Sequence, residues 1–236
     1  MGKKDKLRRF AENETFSHVI QPQFSEVFNT DYSLKNKWSQ SYWKNNNPIV
    51  LELGCGKGEY TVQLAQKYPD KNFIGIDIKG ARLWRGAKTA LEDSITNVAF
   101  IRSRIEFLLS FFGANEISEI WITFPDPQKE KRRTKKRLTS PRFLNMYSSI
   151  LKPQGIIHLK TDSIELYEYT TSLLQYNSQT IRVATPHLYE SEIADDILSI
   201  KTFYEQGYLA QGKPITYIQF QVQGPIREMP DDELPT

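Results

Sequence analysis

The chain has 236 residues, of which 39% are hydrophobic and 25% charged, and its formal net charge is +3. This composition is ordinary for a globular protein and allows one large domain with a substantial core, so it excludes a disordered chain and a collagen-like one. The single cysteine excludes an intramolecular disulfide and a multi-thiolate zinc site, and a reducing, cytoplasmic setting fits best. We expect no secretory signal and no membrane anchor, since no apolar run approaches spanning length.

The two ends of the chain differ in composition from its middle. Residues 1–47 are polar, lack sustained periodicity and begin with a basic cluster formed by Lys3, Lys4, Lys6, Arg8 and Arg9. We interpret them as a basic, partly mobile N-terminal arm, the alternative being a solvated terminus without a role. Residues 48–224 are the predicted catalytic domain. Residues 225–236 are acidic and contain proline, which predicts a C-terminal tail.

Short apolar runs alternate with helical patterns from Pro48 onward. The runs are PIVLEL (48–53), NFIGID (72–77), NVAFIR (97–102), ISEIWITF (117–124) and GIIHLKT (155–161), and the helical patterns cover 58–68, 80–93, 104–112, 140–152 and 163–176. The runs are apolar at both odd and even positions, as in strands covered on both faces. This alternation predicts an α/β fold with a mostly parallel, doubly wound sheet and helices on both faces.

The end of the domain has a different pattern. Residues 181–185 and 215–222 are two further predicted strands, separated by a helical or loop excursion over 191–207. The last strand alternates between apolar and polar residues, which favours an antiparallel strand. Seven strands ending in such a pair match, by fold analogy, the Rossmann-like class I methyltransferase sheet.

A glycine-rich loop follows the first predicted buried strand. Gly54, Gly56 and Gly58 form a G-x-G-x-G pattern, which allows a sharp turn and close backbone approach to a ligand. A dinucleotide fingerprint needs glycine at position 59, where Glu59 would meet the pyrophosphate. Together with Glu52 before the loop, this pattern suits a ligand with a cationic end and no phosphate, such as S-adenosylmethionine.

Asp77 ends the second strand and supports the same interpretation. A carboxylate at this place can accept hydrogen bonds from both ribose hydroxyls. The alternative is that the glycines only make a tight turn and that Asp77 caps a helix. Cys55, inside the loop, is interpreted as a small filler and not as a nucleophile.

A proline-flanked acid and a basic run follow the fourth strand. Asp126 stands in Thr-Phe-Pro-Asp-Pro, and seven of the nine residues from Lys129 to Arg137 are basic. In an open α/β sheet the ligand crevice lies beyond the carboxyl ends of the strands, so we expect Asp126 and the run to face the cofactor side. A basic run at this edge predicts a polyanionic substrate, although such a run is often only a solvated loop. Phe124 could stack on a base.

The segments LELGCGKGEY, IGIDIKG, FPDPQKEKRRTKKRL, HLKTD and KTFYE together resemble the bacterial tRNA (guanine-N7)-methyltransferases. The resemblance begins near residue 48 and runs to the end of the domain, and the FPDP element with its basic run is the most diagnostic part. It implies transfer of a methyl group from S-adenosylmethionine to N7 of a guanine in tRNA, at position 46 of the variable loop. No metal is implied, and the sequence does not distinguish a monomer from a homodimer.

The resemblance also implies site residues. Positions matching the family's cofactor contacts are Glu52, Asp77, Ser103 and Asp126, and Asp126 is also the implied catalytic residue. Positions matching substrate contacts are Asp162, Thr202, Phe203, Tyr204 and Glu205, to which the basic run adds Lys129, Lys131, Arg132 and Arg133. Two residues depart from the family's pattern: Ser103 stands where an acidic or amide side chain is common, and Glu130 stands at the place of a substrate-contacting lysine.

Guanine N7 has a free lone pair, so it can attack a sulfonium methyl without first losing a proton. Alignment and electrostatics then supply most of the rate, and the Asp126 carboxylate could stabilise the positive charge on the purine or hold the base. None of the three histidines suggests a metal ligand or a catalytic base.

Alternatives remain open at this point. One is a methyltransferase that acts on another base or an exocyclic amine, since a proline-flanked acid also serves that chemistry. Another is a non-catalytic RNA-binding protein, against which Glu52, the glycine loop and Asp77 argue. A nicotinamide dehydrogenase is disfavoured by Glu59 and the basic run.

Overall fold

The computed structural model describes residues 3–230, so part of the predicted acidic tail, residues 231–236, lies outside the described residues. The chain forms two compact units, of which the first ends at Ser118 and the second begins at Glu119. The division therefore falls inside the predicted catalytic domain, and neither unit coincides with the predicted arm or tail.

The first unit contains four parallel strands and four helices. The strands are β1 (Val19–Ile20), β2 (Ile49–Leu53), β3 (Asn72–Ile76) and β4 (Val98–Ile101), and the helices are α1 (Lys3–Thr15), α2 (Glu59–Lys67), α3 (Gly80–Glu92) and α4 (Leu108–Phe111). Their order is β1-β4-β3-β2. Every residue of β2, β3 and β4 is buried, which confirms that these apolar runs are strands covered on both faces.

The N-terminal residues contain regular structure that their sequence does not predict. Helix α1 packs on α3, where the Asn13 side-chain amide donates to the Gly80 carbonyl at 2.9 Å and the Trp84 indole donates to the Glu12 carboxylate at 2.8 Å. Strand β1 pairs in parallel with β4, with Val19 opposite Phe100. The partners in these contacts are more than 60 positions away in the sequence, so no local periodicity predicts them.

The second unit holds the remaining strands. Its elements are β5 (Ile117–Thr123), most of which belongs to this unit, α5 (Pro141–Ile150), β6 (Leu151–Thr161), α6 (Ile164–Tyr176), β7 (Thr180–Thr185), α7 (Phe203–Ala210) and β8 (Thr216–Gln221). The order is β5-β6-β8-β7, and β8 runs antiparallel to both β6 and β7. The antiparallel last strand is thus confirmed. Residues 3–230 contain eight strands where seven were predicted, because the short β1 was missed.

Two predicted elements have different boundaries in the structure. The helix expected over 104–112 is a 3-10 turn over Ile105–Phe107 followed by the one-turn α4. Strand β6 starts at the buried Leu151, before the predicted start at Gly155, because the exposed residues 152–154 lie outside the apolar run from which the strand was predicted. No helix within residues 3–230 is long and apolar enough to cross a membrane.

Candidate cofactor and substrate sites

The glycine loop between β2 and α2 adopts a backbone that only glycine takes easily. The φ angles of Gly54, Gly56 and Gly58 are 75°, 56° and 69°. A Cβ on Gly58 would lie 2.6 Å from Cε1 of Phe100, whereas a Cβ on Gly54 would meet no heavy atom within 4 Å. The loop is therefore crowded underneath at Gly58 and open at Gly54, where its backbone is accessible to a ligand.

Two carboxylates hold this loop in shape. Glu52 is 3% exposed and accepts hydrogen bonds from the backbone N–H of Thr61, at 2.8 Å, and from the Thr61 hydroxyl. Asp77 accepts from the backbone N–H of Gly56 at 2.9 Å and from that of Lys79 at 2.7 Å. The structure thus brings Asp77 to the glycine loop. The N-cap of α3 is Lys79, so the alternative that Asp77 caps this helix is wrong.

Cys55 lies inside the loop with its thiol buried. Burial raises the pKa of the thiol well above its ordinary value, and the nearby carboxylates of Glu52 and Asp77 act in the same direction. A thiol that stays protonated is a poor nucleophile. The burial of Cys55 is compatible with its interpretation as a filler.

A cleft of about 650 Å³ lies in the first unit beside the residues that follow β3 and β4. Ile78, next to Asp77, and Ser103, just beyond β4, line it, and Ser103 is 8% exposed. The opposite wall comes from the N-terminal segment Gln21–Phe24, which the sequence analysis did not connect with any site. No local motif in that polar segment marks it, because its position depends on β1 pairing with β4.

In the second unit, Asp126 stands on a strained turn after β5. Phe124 and Gln128 on either side of it both have φ of 48°, a left-handed conformation that is unfavourable for residues with a side chain. The Asp126 carboxylate is exposed and accepts from the Gln128 backbone N–H at 3.0 Å, and the Phe124 N–H donates to the Lys160 carbonyl at 2.8 Å. The turn presents one carboxylate oriented by its own backbone.

The basic run forms 3-10 turns over Lys131–Lys136. Glu130 faces the run's own arginines, with its carboxylate 2.6 Å from Nε of Arg132 and 3.9 Å from Arg133. Lys129 lies 3.4 Å from Glu165 of α6. These pairs are exposed, and exposed ion pairs exchange readily for other anions.

Asp162 follows β6 and lies 3.2 Å from the ammonium of Lys213. Ser163, and not Asp162, is the N-cap of α6, and its hydroxyl accepts from the Leu166 N–H at 3.2 Å.

The Thr202–Glu205 segment opens α7 with a capping box. The Thr202 hydroxyl accepts from the Glu205 N–H, and the Glu205 carboxylate accepts from the Thr202 N–H. Glu205 has no exposed surface, so it is not an ordinary surface charge, whereas Phe203 and Tyr204 are 57% and 37% exposed. The segment therefore offers two aromatic rings at the surface and buries its acid.

Two basic residues of the second unit were not singled out from the sequence. Lys160 is buried and its ammonium lies 2.8 Å from the Glu205 carboxylate. Arg142, at the start of α5, lines a pocket together with Lys131 and Arg132. Within residues 3–230, no group of three or more His, Cys, Asp or Glu side chains is arranged to hold a metal ion.

Comparisons with known proteins agree with this arrangement. Residues 46–218 match a family described as "Putative methyltransferase". A Christiangramia forsetii protein named tRNA (guanine-N(7)-)-methyltransferase is 58% identical over 224 residues, which is 94% of this chain and 100% of that protein. A protein of the same name from Bacteroides thetaiotaomicron is 49% identical over 235 residues, 99% of this chain and 92% of that one.

Solved structures show the same fold at low sequence identity. The 16S rRNA methyltransferase KamB is 12% identical with a TM-score of 0.61, covering 80% of this chain and 94% of that one. A variant of the 16S rRNA (adenine(1408)-N(1))-methyltransferase from Catenulisporales acidiphilia is 14% identical with a TM-score of 0.57, covering 82% and 93%. The class I methyltransferase fold predicted from the sequence is confirmed.

Proposed function

The chain belongs to the tRNA (guanine-N7)-methyltransferase family, and on this basis we propose that it transfers a methyl group from S-adenosylmethionine to N7 of a guanine in tRNA. The observation that carries the proposal is the 58% identity to the Christiangramia forsetii protein across its whole length. The target is the variable-loop guanine and the setting is the cytoplasm. The reducing compartment suits a chain with one cysteine.

The first unit has the features that S-adenosylmethionine requires. The open backbone at Gly54 and Gly56 allows close approach of the methionine part, and Glu52 lies buried below the loop. In this proposal Asp77 accepts from the ribose hydroxyls, and the cleft beside Ile78 and Ser103 holds the adenine ring. Ser103 has a short hydroxyl, so backbone groups around it supply most adenine contacts.

S-adenosylmethionine, when bound, supplies an electrophilic methyl on a sulfonium. Guanine N7 would form the new N–C bond with its lone pair, and the sulfur would keep the electron pair of the broken C–S bond as a thioether. No proton needs to leave N7, so the protein needs no general base for this step. The products are 7-methylguanine, which carries the positive charge, and S-adenosylhomocysteine.

Asp126 is the proposed catalytic residue. Its exposed carboxylate is fixed by the strained turn between Phe124 and Gln128, and strained backbone conformations cluster at active sites. A fixed carboxylate can accept hydrogen bonds from the guanine N–H groups and stabilise the positive purine that forms. The backbone strain at this turn is the local observation that favours Asp126.

The substrate contacts divide by chemistry. Phe203 and Tyr204 offer exposed rings for stacking on RNA bases, and Lys129 and the residues of the basic run bind phosphates. Asp162 follows β6 and is paired with Lys213, and the two side chains offer polar contacts to the substrate. Glu205 is a positioning residue in this scheme, because it is buried and holds the start of α7.

The test is transfer of labelled methyl from S-adenosylmethionine to unmodified tRNA, followed by nucleoside analysis. We expect 7-methylguanosine, and loss of the label when the variable-loop guanine is replaced in the transcript. A different methylated nucleoside would favour action on another base or exocyclic amine. RNA binding without any transfer would favour a non-catalytic RNA-binding protein.

A second test addresses Asp126. We expect Asp126→Ala and Asp126→Asn to abolish transfer while calorimetry still detects S-adenosylmethionine binding. Asp196→Asn, at an exposed acid of the second unit, is the matched control and should transfer methyl normally. Normal turnover by Asp126→Asn would contradict the proposed role.

A further inference from the structure

The chain after β8 folds back on the second unit and is held there by two asparagines. The Asn145 side chain accepts from the Ile226 N–H at 2.7 Å and donates to the Ile226 carbonyl at 3.0 Å. The Asn177 side chain makes the same pair of bonds with Arg227, at 2.7 and 3.0 Å. Ile226 is also buried. Four hydrogen bonds and a buried side chain therefore fix where the next residue, Glu228, lies.

Glu228 is held at the edge of a cationic pocket. The pocket has a volume of about 390 Å³, within the range of about 300–1,000 Å³ that is common for ligand sites. Four basic side chains line it, and they are Lys131, Arg132, Lys135 and Arg142. Among the described residues 3–230, Glu228 is the only acid that lines the pocket, so the described lining has more basic than acidic side chains.

The contact between Glu228 and the pocket is weak and exchangeable. The Glu228 carboxylate lies 3.4 Å from the Lys135 ammonium, and the two side chains are 64% and 78% exposed. Ion pairs of this kind contribute little to stability, because solvent screens both charges. A phosphodiester carries the same single charge on two free oxygens, so it can replace the carboxylate at small cost.

We propose that this pocket binds a backbone phosphate of the RNA substrate and that Glu228 competes with that phosphate. The inference rests on the proposed function and deepens it, since it adds Lys135 and Arg142 to the RNA-binding residues and gives the C-terminal segment a role. A phosphate suits the pocket because arginine guanidinium groups bind it in a bidentate manner and two lysines add point charges. The pocket continues the basic run, as a site for a polymer with successive phosphates should.

The position of Glu228 affects which anions bind tightly in the pocket. A carboxylate anchored beside the cations lowers the affinity for any single phosphate, while an RNA that engages the rest of the run still displaces it. Every anion that enters the pocket must displace this carboxylate, and the cost is a larger fraction of the binding free energy for a short anion than for an RNA that also engages the rest of the run. Glu228 acts as a built-in competitor.

The test compares Glu228→Gln with Glu190→Gln, which removes one exposed acid of the same unit from a place outside the pocket. Binding of fluorescent, unmodified tRNA is followed by anisotropy over a range of salt concentrations. We expect Glu228→Gln to tighten binding about two- to fivefold, and Glu190→Gln to have a smaller effect. Equal effects of the two variants would show only a change in net charge and would overturn the proposal.

A second pair of variants tests the phosphate site itself. Arg142→Gln should weaken tRNA binding about tenfold and reduce the slope of log affinity against log salt by about 0.7–0.9. In the Arg142→Gln, Lys135→Gln background, adding Glu228→Gln should have no further effect, because the competitor has lost its partners. An unchanged slope in Arg142→Gln would overturn the proposal.

Failure of the proposed function has a different signature. If the unmodified protein binds tRNA but forms no 7-methylguanosine, the proposed function fails while the affinities of the Glu228 and Arg142 variants still decide the present inference. If 7-methylguanosine forms and both variants bind tRNA like the unmodified protein, the inference alone fails.

Discussion

The ammonium of Lys160 and the carboxylate of Glu205 lie 2.8 Å apart, and neither side chain has any exposed surface. Lys160 also donates to the carbonyls of Leu198 and Ile200 at 2.6 and 3.1 Å. Burial lowers the pKa of Lys160, and the Glu205 carboxylate opposes that shift. This pair connects β6 to the start of α7, which carries the exposed rings of Phe203 and Tyr204.

Removing one partner of this pair should be strongly destabilising. We expect Lys160→Met to lower the free energy of unfolding by about 3–5 kcal/mol, because the Glu205 carboxylate is left buried without its cation. Adding Glu205→Gln should recover part of the loss, since glutamine removes the charge and can still complete the capping box. Urea unfolding measures both variants, and Lys201→Met, at an exposed lysine, is the control. Equal stability of Lys160→Met and Lys201→Met would contradict this expectation.

The pH dependence of stability should contain a contribution from His18. Burial lowers the pKa of His18 below its ordinary 6.5, and the bond that its Nε2–H donates to the Ala87 carbonyl at 2.8 Å opposes this shift. As the pH falls through 6.5 the unfolded chain takes up a proton that the folded chain resists, so stability is lost below that pH and is complete above it. His18→Gln should reduce the pH dependence of the free energy of unfolding between about pH 5 and about pH 7. His187→Gln, at an exposed histidine, should keep the slope of the unmodified protein.

The glycine loop allows a test that separates backbone strain from crowding. Gly56→Ala adds a methyl in a left-handed conformation, 3.9 Å from the Gly54 carbonyl oxygen, so it should cost about 1–3 kcal/mol of unfolding free energy. Gly58→Ala adds the same strain and places its Cβ 2.6 Å from the Phe100 ring, so we expect about 2–5 kcal/mol. Urea unfolding of the two variants gives the comparison. The reverse order would mean that the ring of Phe100 moves without cost.

The central strands and the glycine loop were predictable because their signals are local. Strands β2, β3 and β4 are continuous apolar runs. Alternate glycines at the end of such a strand are typical of a tight turn that brings the backbone close to a ligand. The start of α7 also has a local signal in the sequence. Thr202 and Glu205 have the spacing of a capping box, which marks a helix N-terminus.

The remaining features depend on contacts between residues far apart in the chain. Helix α1 is polar along its length, and it is held by partners such as Gly80 and Trp84 that no pattern within residues 1–47 indicates. Lys160 and Glu205 can be buried only as a pair, since either charge alone would be expected at the surface. The position of Glu228 follows from Asn145 and Asn177, two residues that sequence analysis gave no reason to select.

Asp77 should contribute to cofactor affinity through its charge. Its two oxygens accept from the backbone N–H groups of Gly56 and Lys79, so Asp77→Asn replaces one acceptor by a donor at the loop and weakens any bonds to ribose hydroxyls. Hydrogen bonds to charged groups are worth about 1.5–3 kcal/mol, which predicts a loss of roughly 10- to 100-fold in S-adenosylmethionine affinity. Calorimetry measures this, with Asp93→Asn, at an exposed acid after α3, as the matched control. Unchanged affinity in Asp77→Asn would exclude Asp77 from the cofactor site.

The basic run should determine how tRNA binding depends on salt. Each lysine or arginine that neutralises a phosphate releases counterions, so Lys131→Gln and Arg132→Gln should each reduce the slope of log affinity against log salt by about 0.7–0.9. Lys152→Gln removes an exposed cation of the same unit outside the run, and it should leave the slope near that of the unmodified protein. If all three variants shift the slope equally, binding responds to net charge alone, and the run has no phosphate contacts of its own.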